Sequence, residues 1–143
     1  MMKAPLSIKI IQGFMLLQIF VLVSLYVIVE LADPMNLSHW ASKIVFRMVD
    51  MPQDMLEQSY VLGRLKGMLT FPLFFTSLLA LFIKLRMLKT SIGCIILIML
   101  LDVSKGTFLV AIVYLVILLV LLNNKQAKVY FQQKRKTKAA EAA

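Results

Sequence analysis

Residues Ile10–Leu31 read IIQGFMLLQIFVLVSLYVIVEL, and this stretch decides how the rest of the chain is understood. Its apolar run is interrupted only by Gln12, Gln18, Ser24 and, one residue from its end, Glu30. A helix lying on a water-facing core would show polar residues every third or fourth position. An apolar block near twenty residues long instead has the length and character of a bilayer span. Extended back to Ile8, the segment makes about 36 Å of helix at 1.5 Å per residue. That crosses a core of about 30 Å with some tilt. Pro5 stands just before it, where proline is tolerated, and Asp33-Pro34 ends it because proline disfavours helix in the preceding residue. The apolar run exceeds the core of a secretory signal and lacks a small-x-small cleavage pattern, so it reads as an uncleaved first span.

Composition agrees. The chain has 143 residues, 61% of them hydrophobic and 16% charged, with a mean hydropathy of +0.87. A soluble domain carries about a quarter charged residues. The net charge of +9 invites a nucleic-acid reading. However, 6 of the 16 Lys and Arg follow Leu122 and most of the others flank apolar runs. That distribution fits topology and anionic lipid headgroups, and no nucleic-acid partner is expected. Cys94 is the single cysteine and excludes internal disulfide or dithiol chemistry.

Three further spans follow from the same criteria, giving approximate spans at residues 8–31, 67–84, 86–103 and 106–122 within one membrane domain, 1–143. The second begins after Lys66 and contains Pro72, which removes a backbone hydrogen bond; Thr70 and Thr76 are candidates to satisfy the freed group. The third is the shortest in uncharged sequence, Thr90–Leu101, about 18 Å of helix. It crosses if Lys89 snorkels to the interface, and is re-entrant otherwise. A single helix from Lys84 to Lys125 would be about 60 Å long, so the chain must fold back near Asp102–Gly106.

The outer loop, residues 32–66, contains a second pattern. Leu37, Trp40, Ala41, Ile44, Val45 and Met48 fall on one helical face, opposite Ser38, His39, Ser42, Lys43 and Arg47. Asn36 or Ser38 would cap such a helix. It suits the membrane–water interface with Trp40 as anchor, or a loop helix packed on the bundle. Residues 54–65 start a helix feeding the second span. The tail, residues 123–143, is basic; Val129, Tyr130 and Phe131 would hold its first part at the interface, and its alanine-rich end has the composition of a disordered segment.

Orientation follows from the basic residues. With the N-terminus inside, Lys3, Lys9, Lys84, Arg86, Lys89 and six tail residues make 11 on the cytoplasmic side. Lys43, Arg47, Arg64, Lys66 and Lys105 make 5 outside. The expected fold is therefore an all-α membrane protein, a four-helix transmembrane bundle with a short extracytoplasmic amphipathic helix and cytoplasmic termini.

Few residues look chemically active. Gln12, Gln18 and Ser24, with Thr76 and Ser77, are the main polar groups at membrane depth, and such groups usually bond across helices. They are candidate helix-contact residues, or path-lining ones if a shared interior exists. Glu30 is placed to pair with Lys66 or Lys105 at the interface. Asp102 and Lys105, three apart, would pair in the short hairpin. His39 has no ligand partners at metal spacing, the ten methionines suit gap-filling, and Gly93 with Cys94 would allow close packing. No catalytic residue, cofactor or metal is expected. Small multidrug exporters share the helix count, but Glu30 lies at a helix end, the 32–66 loop is too long and their glycine-rich third helix is absent. Vitamin-K-epoxide-reductase-like proteins need paired cysteines. The expectation is a non-enzymatic interaction or accessory subunit of a bacterial inner membrane, partnered by the bilayer, anionic headgroups at the basic tail, and other membrane proteins or itself. A small oligomeric transporter or channel, or a holin-like pore-former, is the alternative.

Overall fold

The computed structural model describes residues 4–36, 38–49, 52 and 54–132. Lys3, Leu37, the tail residues Lys134, Arg135, Lys136 and Lys138, and the alanine-rich end lie outside the described residues. The described residues form helices α1 (Leu6–Leu31), α2 (Trp40–Met48), α3 (Met55–Lys84), α4 (Leu88–Ser104) and α5 (Phe108–Asn123). A final helix, α6 (Lys125–Gln132), departs from the α5 axis by 73°.

Helices α1 and α3 are each long and apolar enough to cross a membrane, and α5 with α6 makes a third if the bent pair counts as one span. Helix α3 begins at Met55 and runs on to Lys84, in line with the helix expected over residues 54–65 that feeds the second span. Asp54 starts it, accepting a hydrogen bond from the Leu56 N–H at 3.3 Å, and Glu57 follows at the third helical position, the spacing of a helix-start signature. Pro72 lies within α3 without ending it. The two threonines expected to serve the carbonyl it frees are engaged elsewhere: Thr70 donates to Lys66 O at 2.8 Å, and Thr76 meets Tyr114.

The chain divides into two compact units, residues 1–17 with 75–143, and residues 18–74. In the first, α4 and α5 pack against one another. The core takes Ile8, Ile11 and Met15 from α1, Leu79 and Ile83 from α3, Ile95 and Ile98 from α4, and Tyr114, Ile117 and Leu121 from α5. Spacings of three and four along each helix define a narrow buried seam. The other sides of these helices stay apolar and exposed, as at Leu109 and Leu119, a surface that suits lipid rather than water.

The turns of this unit are two examples of one motif. After α3, Arg86 N–H donates to Ile83 O and Met87 N–H to Phe82 O. After α4, Gly106 N–H donates to Val103 O and Thr107 N–H to Asp102 O. Both are Schellman stops, which need a left-handed residue. Gly106 supplies it with φ 75°, as the expected fold-back requires, but Arg86 supplies it with φ 57°, a conformation that costs a residue with a Cβ roughly 1–2 kcal/mol. The Arg86 guanidinium lies 4.5 Å over the Tyr130 ring, a stacking worth about 0.5–1 kcal/mol in exposed settings.

Asn124 organises the far end of α5. Its Oδ1 accepts hydrogen bonds from the N–H groups of Gln126 and Ala127, capping α6, while its Nδ2 donates to Ser7 Oγ at 3.3 Å. Helix α6 then folds Ala127, Tyr130 and Phe131 into the core. Of the three residues expected to sit at the interface, only Val129 is exposed.

The second unit has a smaller core: Val29, Ala32, Val45 and Leu62. Its loop is held by polar contacts. Asp33 N–H donates to Ser42 Oγ at 3.0 Å and Ser42 Oγ returns a bond to Asp33 O at 3.1 Å. Asp33 Oδ1 accepts from Met35 N–H, and Gln58 Nε2 donates to Pro52 O at 2.7 Å. Helix α2 is amphipathic as expected, with two differences. His39 is its N-cap, while Asn36 Oδ1 accepts from Ser38 Oγ. Ser42, assigned by periodicity to the polar face, is fully buried because the Asp33 backbone needs its hydroxyl.

Candidate functional site

The polar groups within the apolar helices fall into different surroundings. Thr76 on α3 and Tyr114 on α5 are both fully buried, and their hydroxyls lie 3.1 Å apart, either able to donate. This is a bond across helices between neutral groups, the kind that holds spans together without a buried charge. Ser91 on α4 is also fully buried and donates to Met87 O within its own helix. Ser24 does likewise to Phe20 O. Gln12 and Gln18 are partly buried, and Ser77 is exposed. Tyr114, the partner of Thr76, was not singled out by sequence reasoning; a tyrosine centred in the otherwise apolar α5 is the only signal that could have found it.

The charged candidates separate. Glu30 Oε2 and Lys66 Nζ are 2.8 Å apart, with about half of Glu30 exposed. Lys66 lies where α3 passes from its polar beginning to its apolar part. No ion pair joins Asp102 to Lys105 among the described residues. Instead Thr107 Oγ1 donates to Asp102 O at 2.9 Å and approaches Asp102 Oδ1 at 3.2 Å, so the acid is tied to the turn after α4. Its Oδ2 is buried without a partner among the described residues, as is His39 Nδ1. The His39 ring is 5.7 Å from that of Trp40, and Trp40 is 51% exposed. Among the described residues no group of three His, Cys, Asp or Glu is placed to hold a metal ion.

Each unit carries an apolar groove. In the second unit Leu25, Ile28, Val45, Met48, Leu65 and Met68 line a space of about 190 Å³. In the first, Ile10, Ile11 and Phe14 of α1 face Ile112, Val113 and Val116 of α5 across about 410 Å³, with Ser7 at one end. Gln12, Gln18, Thr76 and Ser77 line neither groove.

No protein family, curated protein or solved structure matches this chain. The functional reading therefore rests on the residues themselves.

Proposed function

We propose that this chain is a non-enzymatic accessory or interaction subunit of a bacterial inner membrane, built as four crossings with both termini in the cytoplasm. The observation that carries the subunit reading is the use made of polar groups at membrane depth. Thr76 and Tyr114 bond to each other and Ser91 to its own backbone, which suits packing rather than substrate handling. The surfaces available to a partner are the outer face of α2, where Trp40 and Met48 are exposed, and the basic segment that begins at Lys125.

Four crossings are supported by the α4–α5 hairpin. With 17 and 16 residues, the two helices are about 26 and 24 Å long. Each is somewhat short for the bilayer core, a mismatch relieved by local thinning and by Lys89 reaching to the headgroups. The 11 to 5 distribution of basic residues supports the orientation.

Reporter fusions after Ala143 and at Met48 test the topology: an inside signal at the first and an outside signal at the second are expected. A photo-crosslinking residue at Trp40 tests the subunit reading in native membranes, where a discrete protein adduct absent from a control sited at the lipid-facing Leu119 is expected. Lipid adducts alone, accompanied by ion leakage from liposomes holding the purified protein, would replace that reading with a pore.

A further inference from the structure

The groove between α1 and α5 sits at an end of the first unit with an unusual charge pattern. The Ser7–Asn124 hydrogen bond joins the start of α1 to the end of α5, and Arg86 over Tyr130 joins the α3–α4 turn to α6. Both contacts are therefore at one end. Lys9, Lys84, Lys89, Lys125 and Lys128 are all exposed, and chain order puts them at this end too. The single carboxylate among the described residues of this unit is Asp102, at the opposite end of α4. Nothing acidic in these residues offsets the lysines.

We propose that the α1–α5 groove holds an acyl chain of an anionic phospholipid whose phosphate is received by this lysine collar, with Lys9 and Lys125 nearest its mouth in sequence. The lining is apolar apart from Ser7, which marks the headgroup end. From Ile112 to Val120 the groove follows α5 for about 12 Å, against about 15 Å for half the bilayer core, so its depth matches one leaflet. A second copy of this chain is a poorer occupant. Inserted in the same orientation it would set two lysine collars side by side, whereas a phosphate neutralises one. The site rests on the proposed crossing of α1 and α5.

The test is native mass spectrometry of the full chain in detergent, with phosphatidylglycerol or phosphatidylcholine added. A lysine near an anionic surface contributes about fivefold to binding, so a preference of about 25-fold for phosphatidylglycerol is expected from two such contacts. Joint replacement K9Q/K125Q/K128Q should erase that preference while leaving weak binding of both lipids. Val113→Trp, which fills the groove, should abolish binding of both; Phe14→Gln, at a partly exposed position, serves if the first variant does not fold. Equal binding of the two lipids, undiminished binding after the groove is filled or made polar, or a dimer in place of a lipid adduct would overturn the site. Expected fusion topology combined with no lipid preference removes the site alone; altered topology removes the crossings and the leaflet match with them.

Discussion

The two compact units are held by different chemistry. In residues 1–17 with 75–143, apolar side chains from five helices interlock along narrow seams, and the fully buried polar groups are neutral hydroxyls with their bonds made nearby. In residues 18–74, only four apolar residues form the buried cluster, while backbone groups of the Asp33 turn, the Gln58 amide and an ion pair supply the remaining connections. On the proposed crossings the difference follows from solvent, because the polar contacts of residues 18–74 lie in or beside the loop between the first two spans. Lipid offers no hydrophobic drive between helices, so close packing and a few internal bonds must serve. At the water boundary a polar clasp is compatible with its surroundings, and each bond contributes modestly because water competes for it.

The sharpest way to break this contrast is Tyr114→Ala. Removing the largest fully buried side chain of the first unit should cost about 3 kcal/mol or more, read as earlier unfolding in a detergent–denaturant titration. A loss below about 1 kcal/mol would mean that the seam is loosely packed. Ser42→Ala comes next. It removes both bonds to Asp33 and should cost about 1 kcal/mol, with faster amide exchange confined to the turn around Asp33. Exchange that also accelerates along α4 and α5 would show that the two units do not respond separately. Tyr114→Phe keeps the packing and strands Thr76, for about 0.6 kcal/mol; a larger loss than that of Ser42→Ala would reverse the proposed ranking of packing over hydroxyl bonding. The smallest effect is expected for Lys66→Gln, at most about 0.5 kcal/mol and smaller still in high salt. A salt-independent loss would show that the Glu30 pair is shielded from water.

How far the sequence could be read also differs between the units. Helix ends at Leu31, Lys84 and Asn123 were legible because apolar runs end at Asp33-Pro34, at basic residues and at an asparagine pair. The fold-back near Asp102–Gly106 was legible because a single helix from Lys84 to Lys125 would be about 60 Å long. Arg86 adopts the left-handed conformation of Gly106 without any such signal, and its partner Tyr130 lies far along the chain. Which face of each span points inward was not legible at all. When one side meets lipid and the other meets helices, both sides are apolar and the helical period loses its contrast. Thr76 could be picked out as polar, but its partner is 38 residues away. Helix α2 shows the reverse: its period revealed the face, and Ser42 departed from it for a backbone hydrogen bond that periodicity does not encode.

The discontinuous make-up of the first unit also has a consequence for when it can form. Residues 18–74 leave the ribosome as one uninterrupted stretch, so that unit has all its parts early. Ser7 is made before that stretch, yet Asn124 follows 117 positions after Ser7. At about 5–20 residues per second that is a delay of roughly 6–23 s. Until then the first half of α1 has its inward side open, and Tyr130 and Phe131, among the last described residues to be made, complete the core. A ribosome that stops before Asn124 thus leaves behind a chain in which α1 is still waiting for its neighbour.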